Sequence, residues 1–432
     1  VKRFGTLFIS ALLLLSVSTH AAGQESLSLS DAISHALEKN YTISIVRQGE
    51  EIASVNNTWG AAGRFPTISL DLLSNSRSEF NETRDFTSSA LNPGMDLNWV
   101  LFNGFAIKIR KERFDSLSEL SQGNTAVIVE NTIQAVILSY YNILLQQERL
   151  KAVKDILELS SDRYQYVLTK KDIGNAVTFD VLQAKNAWLE DKSNYMLQEM
   201  TLKNAVRDLN YLMGISGDVS YTFSDDFTAE SNDWLLDDLK AKMLDNNKTL
   251  RNQYINEVLL GKNIDLARSM YYPSLNVRTG IDGFRNRTNF EDADPAYASS
   301  HSYYANLSLS FNLFDGGAKK RAVAIAKIQE DIGKTETKEM IHSLSNNLEK
   351  LFEMYNVRRD LYSVTKENLE AAKLNMEISG DRFAAGTINS FNYRDVQLIY
   401  LNAAINRLQA VYSLIDTKTA LMRITGGIIT ER

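Results

Sequence analysis

Ala305-Asn306-Leu307-Ser308-Leu309-Ser310-Phe311-Asn312-Leu313 alternates apolar and polar side chains without a break and runs into Phe314-Asp315-Gly316-Gly317-Ala318. Period-two alternation marks a strand with one apolar and one polar face. Two glycines after an aspartate supply the positive φ and the capping oxygen that a sharp change of direction needs. From Ala318 to about Ala385 the period changes, because Leu344, Leu348, Leu351 and Tyr355 are spaced four, three and four apart and stay on one helical face. The local unit is a strand, a glycine turn and a very long helix.

That unit occurs twice. Leu101-Phe102-Asn103-Gly104 anticipates Leu313-Phe314-Asp315-Gly316-Gly317, and Phe65-Pro66-Thr67-Ile68 anticipates Tyr272-Pro273-Ser274-Leu275. Asp162-Arg163-Tyr164 recurs as Asp381-Arg382-Phe383. Gly174 followed by Asp180-Val181-Leu182-Gln183 recurs as Gly386 followed, after a longer run, by Asp395-Val396-Gln397. Leu212-Met213-Gly214 closes one half and Ile424-Thr425-Gly426 the other. Ordered landmarks of this kind indicate internal duplication, with repeats over 24–214 and 215–432. Strands are expected at about 67–76 and 95–102, then at about 274–283 and 303–313. Long helices are expected at about 105–171 and 177–213, then at about 318–385 and 391–424.

Proline placement agrees with this division. Pro66, Pro93, Pro273 and Pro295 leave 94–272 and everything after 295 free of proline, and an interior proline costs a helix about 3 kcal/mol. In the first tract Val129, Ile133, Val136, Tyr140 and Leu144 form one stripe. Helices this long reach roughly 90–100 Å at 1.5 Å per residue and indicate coiled-coil packing. The segments Ser74–Pro93 and Phe284–Ser302, rich in Asn, Asp, Arg and Ser, read as polar loops between the strands of each pair. Alternating strands with aromatic ends and longer loops on one side fit a transmembrane β-barrel, with Tyr271, Tyr272, Tyr303, Tyr304, Trp99, Phe102 and Phe314 as girdle candidates. A soluble sheet with one wet face fits the same alternation.

The composition narrows the function classes. The 432 residues carry 47 Lys and Arg against 53 Asp and Glu, a formal charge of −6, and no cysteine. Disulfides, thiolate metal sites and cysteine nucleophiles are therefore excluded. His20, His35, His301 and His342 are never paired at helical spacing, which argues against a histidine metal site. A mildly acidic chain without a basic block offers nucleic acid no electrostatic footprint. Lys2 and Arg3, an apolar run from Phe4 to Val17, and the small residues Ala21, Ala22 and Gly23 have the zones of a cleavable signal peptide over 1–23. Beyond it, no stretch reads as apolar enough to cross a bilayer as a helix. An exported chain of this kind is either soluble or a β-barrel. Four strands cannot close a bacterial barrel, which needs at least eight. An eight-stranded barrel is filled by its own side chains. The polar strand faces (Ser69, Asp71, Asn98, Asn276, Arg278, Asn306, Ser308, Asn312) suit a wet lumen, so three copies are expected.

The duplication, the Phe-Pro and Tyr-Pro strand beginnings, Leu313-Phe314-Asp315-Gly316-Gly317 before a long helix, and the turns Gly174–Gln183 and Gly386–Gln397 resemble the TolC-like outer-membrane efflux proteins. The resemblance covers essentially the whole mature chain. It implies a mainly α fold with membrane β, forming a homotrimer whose twelve-stranded outer-membrane barrel continues as a periplasmic α-helical barrel. It also implies a passive exit duct of a tripartite efflux or type I secretion system in a Gram-negative bacterium. Its partners would be outer-membrane lipid, a periplasmic adaptor (membrane fusion) protein and an inner-membrane pump, with no cofactor, metal or enzymatic activity. The chain departs from the family pattern in a longer run between Arg163 and Asp180, and in having Arg394 beside Asp395. A secreted or periplasmic coiled-coil structural protein is the alternative, but it leaves the matched alternating hairpins unexplained. An enzyme would need a convergent catalytic set, and none is visible.

Asn103-Gly104 and Asp315-Gly316-Gly317 are read as the turns that swing strand into helix. Gly174, Asn175 and Val177, with Gly386, Thr387 and Ser390, are read as tips of two-helix hairpins and candidates for adaptor docking. Asp180, Arg394 and Asp395 are candidate charges at the duct entrance. For Asp180 and Asp395 the competing reading is a helix N-terminal charge favoured by the dipole; a ring of acids would bias passage toward cations. From the zones at the amino terminus, the mature protein is expected to begin between residues 21 and 26. Amino-terminal sequencing of outer-membrane material checks this, and retention of Val1 would overturn it.

Overall fold

The structure, a computed structural model, describes residues 25–80, 85–217, 219, 221–291 and 293–428. The expected signal peptide lies outside them. The described residues open with β1 (Glu25–Leu27) and two short helices, α1 (Leu29–Lys39) and α2 (Tyr41–Asn56). A hairpin of β2 (Thr67–Glu79) and β3 (Phe86–Asn103) leads into α3 (Ala106–Asp172) and α4 (Thr178–Leu212). The second half repeats the order with β4 (Tyr221–Phe223), α5 (Leu236–Asn246), α6 (Lys248–Ser269), β5 (Ser274–Phe290), β6 (Ala296–Ser310), α7 (Ala318–Ala384) and α8 (Ser390–Ile424). Both first long helices have 67 residues and both second ones have 35. At 1.5 Å per residue the longer pair spans about 100 Å.

The two hairpins form one antiparallel sheet of order β2-β3-β5-β6, so β2 and β6 are its edges. The segments Ser74–Pro93 and Phe284–Ser302, expected as loops, are mostly strand. Pairing continues to Glu79 opposite Phe86 and to Thr288 opposite Ala296. Polar groups join across these rungs: Ser78 Oγ lies 3.0 Å from Thr87 Oγ1, and the Ser88 hydroxyl donates to Asn286 Oδ1 at 2.8 Å. Alternation disappears where both faces of a strand are wet, so composition there resembles a loop although the ladder persists. Phe311, Asn312 and Leu313, expected in the last strand, lie beyond the end of β6.

Contrary to the sequence expectation, α3 is long and, over part of its length, apolar enough to cross a membrane by composition. Its apolar side is used in packing: Ile133, Val136, Tyr140, Ile143 and Leu144 sit in a buried cluster with Ala32, Ile33, Leu209 and Met213. The second half has its own cluster, with Leu239, Met243, Leu348, Tyr355, Leu414 and Leu421. Each cluster holds one fully buried tyrosine from the long helix. The Tyr140 hydroxyl lies 2.6 Å from an Asp225 carboxylate oxygen, and Tyr355 Oη accepts from Asn232 N–H at 2.7 Å. Burial, reinforced by Asp225, raises the Tyr140 pKa well above the ordinary tyrosine value, so the hydroxyl stays a proton donor.

Asn40 and Asn247 lock each half shut. Asn40 Oδ1 accepts from the amides of Thr42 and Ile43, capping α2, while its Nδ2 donates to Leu212 O at 2.8 Å. Asn247 Oδ1 accepts from Leu250 N–H at 2.9 Å, and its Nδ2 donates to Ile424 O at 2.9 Å. One amide thus satisfies orphan groups at the start of one helix and the end of another. Gly214 and Gly426 let these ends approach, since a Cβ would meet Lys39 O at 2.3 Å and Asn246 O at 2.7 Å. We expect Asn247→Ala to lose about 2–4 kcal/mol, from the cap and the orphaned Ile424 carbonyl together. Asn247→Asp keeps the capping acceptor but not the donor and should lie between the two. Urea midpoints of the purified protein check the order Asn, Asp, Ala.

Candidate functional site

Three places carry the candidate residues: the turns between sheet and helices, the two faces of the sheet, and the far tips of the helix pairs. At the first turn Gly104 has φ 66° and Phe105 φ 71°; at the second Gly316 has φ 63° and Gly317 φ 79°. Two successive left-handed residues reverse the chain from strand to helix in each copy. Asn103 Oδ1 accepts from Ile107 N–H at 3.2 Å. Asp315 accepts from Gly317 N–H at 2.9 Å and Lys319 N–H at 3.1 Å, and these backbone donors hold its carboxyl below the usual range. The copies differ in space. A Cβ on Gly104 would lie 2.2 Å from Ser269 O, whereas nothing lies within 4 Å of one on Gly316.

Residue parity sorts the sheet into two faces. Ile68, Leu70, Leu72, Met95, Leu97, Trp99, Val277, Ile281, Tyr303, Leu307 and Leu309 share one face, on which Leu70, Met95, Ile281 and Tyr303 form a single rung across all four strands. Most of them are exposed in the single chain, Leu70 at 83%. Ser69, Asp71, Asp96, Asn98, Asn276, Arg278, Tyr304, Asn306 and Ser308 share the opposite face. There Arg278 Nη2 lies 2.8 Å from Asp96 Oδ1, and the Tyr304 hydroxyl donates to the same oxygen. Tyr304, expected in an aromatic girdle, is therefore a polar-face residue tied to a carboxylate.

At the tips α3 ends with Gly174 at φ 81° and α7 with Gly386 at φ 74°. Asn175 N–H donates to Lys170 O at 2.8 Å and Thr387 N–H to Arg382 O at 2.9 Å, closing each helix with the same glycine motif. Val177 flanks the first turn, exposed at 62%, and Ser390 opens α8. The sequence suggested a longer second turn. In the structure both turns have equal length: Gly174 and Gly386, Thr178 and Ser390, and Leu212 and Ile424 are each 212 positions apart. Asp180, in the first turn of α4 and 3.5 Å from Val177 N–H, thus corresponds to Asn392, whereas Asp395 sits about one turn further along its helix. By the same offset Arg163 and Arg382 are not equivalent either, although their motifs look alike.

Arg394 is not a free entrance charge. Its Nη1 and Nη2 donate to Asp191 Oδ2 and Oδ1, both at 2.7 Å, with the side chains 12% and 4% exposed. Beside it the buried Arg163 reaches from α3 to Ser390 O at 3.2 Å, and burial pushes its pKa down to about 10. Phe383 stacks on Tyr393 at 4.8 Å, and Tyr164 on Trp188 at 5.6 Å. Arg163 and Asp191 escaped the sequence reading, although the Asp-Arg-aromatic repetition drew attention to Arg163. Asp395 is exposed and Asp180 half-buried. No group of three metal-ligating side chains occurs among the described residues.

The outer membrane efflux protein family model matches residues 32–215 and again 239–427. No curated protein sequence matches. Among solved structures, the chain resembles CusC with a TM-score of 0.75 at 15% identity, covering 92% of each chain. It resembles the Campylobacter jejuni CmeC outer membrane channel with a TM-score of 0.74 at 14% identity, covering 92% of this chain and 85% of that one. The open state of the Neisseria gonorrhoeae MtrE channel follows with 0.68 at 16% identity, covering 92% and 89%. At such identities the likeness establishes the fold, and the two family matches carry the assignment. The chain belongs to the outer membrane efflux protein family and is an outer-membrane efflux channel, not an enzyme.

Proposed function

We propose that three copies of this chain close a twelve-stranded barrel and act as the passive exit duct of a tripartite efflux or type I secretion system. The observation that carries it is the sheet with one apolar face, one polar face and two unpaired edges. Edge groups left open in hydrocarbon cost several kcal/mol each, and pairing β6 of one copy with β2 of the next removes every edge. Two copies would leave an interior just wide enough for side chains; three give room for a wet lumen lined by the polar face. Mass measurement in detergent, corrected for bound detergent, is expected to give three chains per particle, and a stable monomer would sink the duct.

The tips are the proposed docking surface for a periplasmic adaptor that links the duct to an inner-membrane pump. Ile173, Val177, Phe179, Leu182 and Phe391 are exposed around Gly174 and Gly386, an apolar patch about 100 Å from the sheet that water alone does not favour. Asp180 and Asp395 would contribute acidic charge at the entrance, three copies each, whereas Arg394 is consumed by Asp191.

Gly386→Val places a β-branched residue at positive φ, in a turn where no atom lies within 4 Å of the new Cβ. The damage should stay local: the variant inserts and trimerises but loses adaptor cross-linking and export. Gly174→Val, in a turn of the same length and openness, should behave alike. Export by whole cells, with trimer abundance as control, checks this. Normal export from both variants would remove the tips as the coupling surface, and loss of the trimer would place Gly386 in the folding core instead.

A further inference from the structure

We propose that Arg285 and Arg287 form a binding site on the outer rim of the barrel for the phosphate groups of the glycolipid in the outer leaflet. This inference rests on the membrane-barrel reading above. The apolar face is built of rungs that can be followed across the sheet: Trp99, Val277 and Leu307; then Ile68, Leu97, Thr279 and Ala305; then Leu70, Met95, Ile281 and Tyr303. The next outward positions on β5, in order, are Gly283, Arg285 and Arg287. Arg285 pairs in register with Leu91 and Ser299, and Arg287 with Ser89 and Tyr297. Successive rungs are about 6.6 Å apart along a strand. From the lowest apolar rung, Phe102, Leu275 and Leu309, to Arg285 is therefore about 33 Å of strand, or about 25 Å of depth at the usual barrel tilt, the height of an apolar band. Arg285 lies at the upper limit of that band and Arg287 one rung above it, where an arginine facing lipid is tolerated and meets headgroups.

Charge separation makes the site specific. Every carboxylate within the four strands (Asp71, Glu79, Asp96 and Asp282) falls on the inward face, and so do Arg77 and Arg278. Within these strands the outward face carries Arg285 and Arg287 with no acid among the described residues to neutralise them. Both are exposed. Arg287 is oriented by Asn289 Oδ1, 2.9 Å from its Nε, and by the Tyr297 ring, 5.8 Å from its guanidinium carbon. Arg285 has no side-chain hydrogen bond or ion pair among the described residues. Two guanidinium forks on one strand, one rung apart, suit phosphate oxygens, which they bind bidentately. Headgroup phosphates are the anions found at that height.

The test uses the purified trimer in detergent, titrated with a bis-phosphorylated lipid A and with the same lipid dephosphorylated, read by native mass spectrometry and by the shift of the thermal transition. Wild type is expected to prefer the phosphorylated lipid by at least tenfold. R285Q/R287Q should remain trimeric and lose that preference, the R285K/R287K pair should keep part of it, and R77Q on the inward face should keep all of it. Equal binding of the dephosphorylated lipid to wild type, or an undiminished preference in R285Q/R287Q, overturns the site. An equal thermal shift from inorganic phosphate would show a bare anion site and overturn the lipid assignment. A wild-type particle lacking three chains, seen before any lipid is added, removes the barrel and the rim with it.

Discussion

Unpaired backbone groups at the two edges of a membrane sheet set the terms for the rest of this molecule. In hydrocarbon no water is available to β2 and β6, so their amides and carbonyls need strand partners that none of the described residues supplies. Closure through other copies then fixes where the helices can go. Each hairpin hands its chain to a helix pair at the membrane surface, and the direction change uses two left-handed residues in both copies. In the first copy one of them is Phe105, the only non-glycine with positive φ among the described residues. That conformation costs an L-residue about 1–2 kcal/mol. Edge-to-face contacts with Phe102 at 5.2 Å and Tyr272 at 5.7 Å offset it.

Duplication supplied two copies of each part, and later divergence tied them together. The devices that close each half remain paired at equivalent positions, Asn40 with Asn247 and Gly214 with Gly426, whereas the buried tyrosines Tyr140 and Tyr355 sit about one helical turn out of register. The devices that join the halves are single. Arg163 and Asp191 come from the first half, and Ser390 and Arg394 from the second. The Arg394–Asp191 pair is almost dry, and desolvation consumes much of its attraction. Removing one partner would strand a buried charge, at a cost of about 3–5 kcal/mol. Its contribution is therefore a fixed alignment of α8 against α4 more than net stability. The helix tips are held by stacked rings, the forked Arg394–Asp191 pair and the Arg163 bond to Ser390 O, while nothing lies within 4 Å of a Cβ on either glycine of their turns.

Local pattern determined the strand, turn and long-helix unit, its duplication and the amphipathic faces of the sheet, because periodicity and glycine chemistry act between near neighbours and are written in order. The tip glycines were legible for the same reason. The limits of that legibility have physical causes. Strand beyond the apolar band was invisible, because Ser74–Glu79 and Arg285–Phe290 have no buried face to impose alternation. The true register of the repeats was misjudged at Asp180 and Asp395, since a similar Asp-Val pair one turn along a helix looks the same in sequence as an insertion. Tertiary structure alone decided that Tyr304 meets Asp96, 208 positions away, and that Arg394 is spent on Asp191, 203 positions away. Such partners are chosen by which helices and strands lie side by side, a relation that no local pattern encodes.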